Sequence, residues 1–176
     1  MKEDPFPIIL NIFPQFLEVV NSDTIDIYSF FIIFFLIVIL LIFSAFISGA
    51  EVSYFSLTMS DLEVLQDHKK KNKLILKLLK FPNSLLASIL IANNFINVAI
   101  VILSAYLTEK SIEFPEDSFL EFIFQVIVIT SLLVLFGEIT PKVYANQNAV
   151  KFSLWMAKPL TFLNKVLYPF SFLLIS

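Results

Sequence analysis

The sequence predicts an all-α membrane protein, with three transmembrane helices followed by a helical belt lying in the membrane interface. Three observations predict it. Hydrophobic residues fill 58% of the 176 positions and mean hydropathy is +0.86, well above the apolar share of a soluble domain. Apolar runs long enough to cross a ~30 Å hydrocarbon core occur three times along the chain, the first two of them uncharged. The charges between those runs are sorted by sign from loop to loop.

The elements follow in order. Residues 1–26 read as an extracytoplasmic segment. Met1-Lys2-Glu3-Asp4 is acidic, and prolines at 5, 7 and 14 interrupt the apolar stretch 5–20, which suits an interfacial segment and not a cleaved signal peptide. The first span runs from about Ile27 to Ala50, uncharged between Asp26 and Glu51, and could continue toward Met59. The second is uncharged from Phe81 to Thr108 and starts near Pro82-Asn83-Ser84. The third begins near Phe119 and runs to Glu138, closed by Pro141. Residues 27–145 thus form a three-helix transmembrane domain.

Loop charge sets the expected orientation. Lys69, Lys70, Lys71, Lys73, Lys77 and Lys80 lie between the first two spans, and Lys142, Lys151, Lys158 and Lys165 follow the third. The intervening loop carries Glu109, Glu113, Glu116, Asp117 and Glu121 against Lys110. Basic loops stay in the cytoplasm, so the N-terminus is expected outside and the C-terminus inside. In residues 146–176, Lys151, Lys158 and Lys165 share one helical face opposite Phe152, Leu154, Trp155 and Leu163. That pattern predicts amphipathic juxtamembrane helices, broken at Pro159 and Pro169, with a fourth crossing as the alternative. The chain stops inside an apolar run, Leu173-Leu174-Ile175-Ser176, so a soluble domain is expected to follow.

Composition also excludes function classes. All 12 basic residues are Lys, which argues against bidentate phosphate or nucleic-acid recognition. With no Cys, disulfides, thiolate zinc sites and thiol redox chemistry are out. The sole His, His68, sits in a Lys-rich stretch and reads as a surface residue. Intramembrane catalysis needs a nucleophile–base pair or a His-bearing metal cluster, and no span holds a His, so an enzyme is not expected.

What remains is a set of oxygen-bearing residues inside greasy segments. Hydrocarbon offers them no water, so they satisfy one another, face a cavity or bind something. Ser44, Ser48 and Glu51 fall at i, i+4, i+7 on one helical face. Gly49 beside them allows a close approach or a local unwinding. Asn93 and Asn97 are one turn apart on the second span, with Asn94 turned about 100° away and Ser104 continuing the face of Asn97. Gly137-Glu138-Ile139-Thr140-Pro141-Lys142 ends the third span, and Pro141 has no N–H to give the Gly137 carbonyl. Simpler structural roles exist for each: serines bonding back to their own helix, amides bonding between helices, Glu138 pairing with Lys142 across a turn. Taken together, hydroxyls, amides and the carboxylates Glu51 and Glu138 form a hard-oxygen set suited to magnesium, and sodium accepts the same ligands.

The Ser44–Glu51 stretch, Ala92-Asn93-Asn94-Phe95-Ile96-Asn97 and the Gly137–Lys142 motif resemble, in the same order, the transmembrane (DUF21) domain of the CorC/CNNM family of magnesium transporters. The resemblance covers residues 28–176. It departs at Ala92, where Gly is expected in many relatives. It implies a homodimer of three-helix units in the cell's inner membrane, with Mg2+ bound between helices and exported, coupled to Na+ entry. It implies as ligands Ser44 or Ser48, Asn93, Asn97, Glu138 and the Gly137 carbonyl. It also implies downstream cytoplasmic CBS domains that bind nucleotide. The expected function is therefore magnesium transport. The alternative is a membrane scaffold or magnesium-sensing regulator that moves no ions.

Overall fold

A computed structural model describes residues 26–65, 70–111 and 123–175. The expected interfacial stretch 5–20, His68 and most of the acidic loop before the third span lie outside those residues. Every described element is a helix. α1 is Ile27–Phe55, α2 Met59–Leu65, α3 Lys70–Leu79 and α4 Pro82–Ser111. α5 joins four consecutive stretches: Phe124–Ile129, Thr130–Leu132, Leu133–Ile139 and Thr140–Gln147. α6 is Ala149–Ile175. Three segments are long and apolar enough to cross a membrane: Ile27–Phe55, Pro82–Ser111 and Val126–Gln147.

The first span reaches past Glu51 because nothing between Glu51 and Phe55 breaks a helix; the chain turns only at Ser56. α2 then begins with a reciprocal cap. The Thr58 amide donates to Asp61 Oδ2 at 2.9 Å, and the Asp61 amide donates to Thr58 Oγ1 at 3.3 Å. The Thr58 hydroxyl also donates to Asp61 Oδ2, and this bond, together with the one from the Thr58 amide, holds the exposed Asp61 carboxyl below the usual carboxylate range.

Two sequence expectations change. Pro141 does not close the third span, for the helix runs on to Gln147. The stretch before it, Leu133–Ile139, is wound as a π-helix, and the Thr140 amide donates back to the Leu135 carbonyl five residues away. A wide turn at that point fits the missing Pro141 donor. Likewise, α6 is not broken at Pro159 or Pro169; both lie inside one helix. Each removes a donor to the carbonyl four residues earlier, a loss that bends a helix without ending it when neighbours hold the chain in place.

α1 is central. It packs on α4, on the C-terminal half of α5 and on α6, and α6 also packs on α3 and α4. Its buried face is mostly small: Ser44, Ser48, Gly49, Ala50 and Ser53. Small residues let helix backbones approach closely, which is how helices gain dispersion contacts where hydrophobic driving force is weak. The larger core cluster gathers Ile47, Ala50, Tyr54, Ile75, Leu85 and Ile89 with Ala145, Phe152, Met156 and Leu160. A smaller cluster, Ile37, Ile100 and Leu133, holds the other half of the bundle.

Candidate ion site between the helices

Between the two apolar clusters lies a polar layer. Ser44 sits ~25 Å along α1 from Ile27, wholly buried. Its hydroxyl faces two amides of α4. Ser44 Oγ donates to Asn97 Oδ1 at 2.8 Å and lies 3.2 Å from Asn93 Oδ1. One hydroxyl hydrogen thus serves two carbonyl oxygens. The helical spacing of Asn93 and Asn97 aims both carbonyls at one point, and Asn94, turned away, is exposed.

The third helix closes the layer. Asn97 Nδ2 donates to Glu138 Oε1 at 2.8 Å. An ionised carboxylate only accepts, so this contact orients the Asn97 amide with its oxygen toward Ser44. Gly137 keeps this approach close: a Cβ there would lie 3.2 Å from Ser44 Oγ, tighter than ordinary contact, and would press on that hydroxyl. The absent side chain lets the α5 backbone pass directly against α1, bringing the Glu138 carboxylate into the layer. Ser44, Asn93, Asn97, Gly137 and Glu138, drawn from three helices, therefore meet.

The other two candidates stand apart from this network. Ser48, one turn beyond Ser44, is fully buried, and its hydroxyl makes no hydrogen bond. A polar group so placed costs about 1–3 kcal/mol. Glu51 pairs with Lys142, Oε2 to Nζ at 3.1 Å, with both side chains about one-third exposed. The pairing of Lys142 with Glu138 across one turn does not form; Lys142 reaches across to α1 instead. Ser104 is buried on the face that carries Asn97.

In this arrangement the buried polar groups satisfy one another, the first of the three outcomes that hydrocarbon permits. The atoms that do so are nevertheless hard-cation donors: two amide carbonyls around one hydroxyl, and a carboxylate bonded to the far end of the Asn97 amide. Among the described residues no three His, Cys, Asp or Glu side chains gather to hold a metal, so any cation here is held mainly by neutral oxygens.

Two polar clamps escaped the sequence reading. Tyr54 Oη donates to the Ser153 carbonyl at 3.1 Å, tying α6 to α1. Ser88 and Ser84 both donate to Asn164 Oδ1, at 2.8 and 3.4 Å, tying α6 to α4. A signal for the second existed: Ser84 and Ser88 repeat the i, i+4 spacing of Ser44 and Ser48. Tyr54, in contrast, looks from sequence like any aromatic at a span end.

Residues 35–176 match the family described as the cyclin M transmembrane N-terminal domain. The chain is 33% identical over 153 residues to a UPF0053 protein of Haemophilus influenzae, covering 86% of this chain and 34% of that protein. It is 40% identical over 63 residues to the UPF0053 protein YugS of Bacillus subtilis, 36% of this chain and 15% of that protein. It is 30% identical over 121 residues to the metal transporter cnnm-4 of Caenorhabditis elegans, 65% of this chain and 25% of that protein. The chain spans about a third or less of the length of these relatives. With a match across most of its length and three apolar helices long enough to span, this multi-pass membrane chain belongs to the cyclin M transmembrane N-terminal domain family.

Proposed function

We propose that this bundle carries Mg2+ across the inner membrane, outward and coupled to Na+ entry, and that the layer around Ser44 is where the ion binds. The observation that carries the reading is the meeting of Ser44, Asn93, Asn97 and Glu138 from three helices. A relative named as a metal transporter supports the metal-transport class.

The chemistry follows from the donors. Magnesium sheds its water reluctantly and keeps part of its shell, so it suits a site of neutral oxygens beside one carboxylate. An entering cation takes over the two carbonyls that now share the Ser44 hydrogen. Asn97 releases Glu138, whose charge then faces the ion. The Gly137 carbonyl lies on the backbone segment pressed against Ser44, and the unbonded Ser48 hydroxyl lies one turn below. Glu51, held by Lys142 at the rim, serves in this reading as a gate-side charge. Alternating access requires that the helices move relative to one another, and a hydrogen-bonded apo layer gives the closed state something to hold it shut. The working unit is read as a homodimer with its N-terminus outside and its C-terminus in the cytoplasm, where nucleotide-binding CBS domains would follow in the full-length protein. It is read as a carrier and not as an enzyme.

The test is flux. Full-length protein in liposomes loaded with a magnesium-sensitive dye should move Mg2+ down an imposed Na+ gradient, and Glu138→Gln should reduce the rate to background while leaving the fold intact. Flux at background in wild type as well as variant would favour a scaffold or sensor role.

A further inference from the structure

A hollow borders the main core cluster at Leu78. α3 and α6 enclose an open cavity of about 440 Å³ next to the start of the second span. Its wall carries two lysines, Lys77 from α3 and Lys165 from α6, with Phe81, Asn164 and Tyr168 beside them. Among the described residues no Asp or Glu lines it. Lys77 and Lys165 are both exposed, and neither is in an ion pair among the described residues. The Asn164 carbonyl oxygen is taken by Ser88 and Ser84, so Asn164 offers a ligand its N–H donors.

This donor set suits a phosphate. Lys77, Lys165 and Asn164 line one hollow, and among the described residues no carboxylate competes there. The surroundings select the source of that phosphate. Phe81 immediately precedes the span Pro82–Ser111 and is 61% exposed, and Tyr168 is 59% exposed. Leu74, Leu78 and Thr161 complete the wall. Exposed aromatics beside lysines at the end of a membrane span mark headgroup depth, where a ligand has a charged end and an apolar one. We infer that the cavity between α3 and α6 is a binding site for the headgroup of an anionic phospholipid, held by Lys77, Lys165 and Asn164.

The site has a physical consequence for the bundle. A lipid phosphate seated there bridges α3 to α6, and α6 is itself clamped to α1 and α4 through Tyr54–Ser153 and Ser88–Asn164. Leaflet charge would therefore tighten the belt around the end of the bundle nearest the polar layer.

The experiment uses native mass spectrometry and lipid titration on the full-length protein. The probes are phosphatidylglycerol, phosphatidylcholine and the water-soluble glycerol phosphate. Wild type should retain phosphatidylglycerol in preference to phosphatidylcholine. The K77Q/K165Q double variant should bind phosphatidylglycerol about thirtyfold more weakly, two lysine contacts having been lost. K151Q removes an exposed lysine of α6 that does not line the cavity, and should bind as wild type. Glycerol phosphate at millimolar concentration should not displace the lipid. The inference is overturned if K151Q weakens binding as much as the double variant, which would mean general surface charge. It is overturned equally if glycerol phosphate displaces the lipid, which would mean a soluble ligand, or if the double variant binds undiminished. Unchanged melting of both variants in phosphatidylcholine checks that the fold is retained.

Discussion

The two halves of this bundle are built differently. From Ser44 to Tyr54, α1 is enclosed by α4, α5 and α6, and its buried face is mostly serines, glycine and alanine, with Ile47 and Tyr54 among them. From Ile27 to Phe43 every residue of the same helix but Ser29 is large and hydrophobic, and Tyr28, Ile32 and Phe35 are 80%, 67% and 60% exposed. One half is a packed protein interior; the other presents bulky side chains outward and holds together through Ile37, Ile100 and Leu133. In water such exposure would be costly, but in hydrocarbon it is not, because lipid tails are as apolar as the side chains. Precision is concentrated where polar groups must be placed within a few tenths of an ångström. It is relaxed where any greasy surface serves.

Substitutions should separate the two halves, and the largest effect is expected in the packed one. Leu85→Ala opens a cavity beneath α4 in the main cluster and should cost about 2 kcal/mol or more. Leu36→Ala, in the half-exposed part of α1, should cost far less. Thermal unfolding of both variants in the same nanodisc reads the difference, and equal losses would break the distinction. Gly49→Ala comes next. A Cβ there would lie 2.8 Å from the Phe152 ring and 3.3 Å from the Pro141 carbonyl oxygen, so the ring would have to move and the α5 backbone to give by a few tenths of an ångström. About 1–3 kcal/mol of destabilisation is expected, with reduced Mg2+ flux if the displacement reaches the polar layer.

The rim pair should matter less. Glu51→Gln removes a part-exposed ion pair with Lys142 and should lower stability by about 1 kcal/mol at most, more at low salt than at high. A larger loss would assign Glu51 to the interior network. Smallest is the cap of α2. Asp61 is held below its ordinary range by its Thr58 contacts, so this support is present above the usual carboxylate pKa and disappears as pH falls through the lowered value. Acid should therefore fray α2, seen as faster amide exchange at its first turn, while the packed half of the bundle keeps its protection; Thr58→Ala should do the same at neutral pH.

Much of the bundle was readable residue by residue. The three apolar runs and the spacing of Asn93 and Asn97 lie openly in the chain, since helical periodicity alone decides which residues share a face. Gly137 also declared itself, being one of only two glycines, and its need became visible only against Ser44. The prolines misled. Pro141, Pro159 and Pro169 each signal a helix end locally, yet α5 and α6 continue through them. Packing on α1 and a wide turn before Pro141 override the local rule.

Composition and order along the chain were enough to establish a membrane-embedded helical protein with hard oxygen donors in its spans, because crossing hydrocarbon depends on segment length and polarity and not on partners. Pairing needed the three-dimensional arrangement. That Lys142 reaches Glu51 rather than Glu138, that Asn97 bridges Ser44 to Glu138, and that Asn164 is clamped by Ser88 all depend on how helices remote in sequence are rotated and pressed together. A hydrogen bond is decided within a few tenths of an ångström, and no linear pattern carries that information.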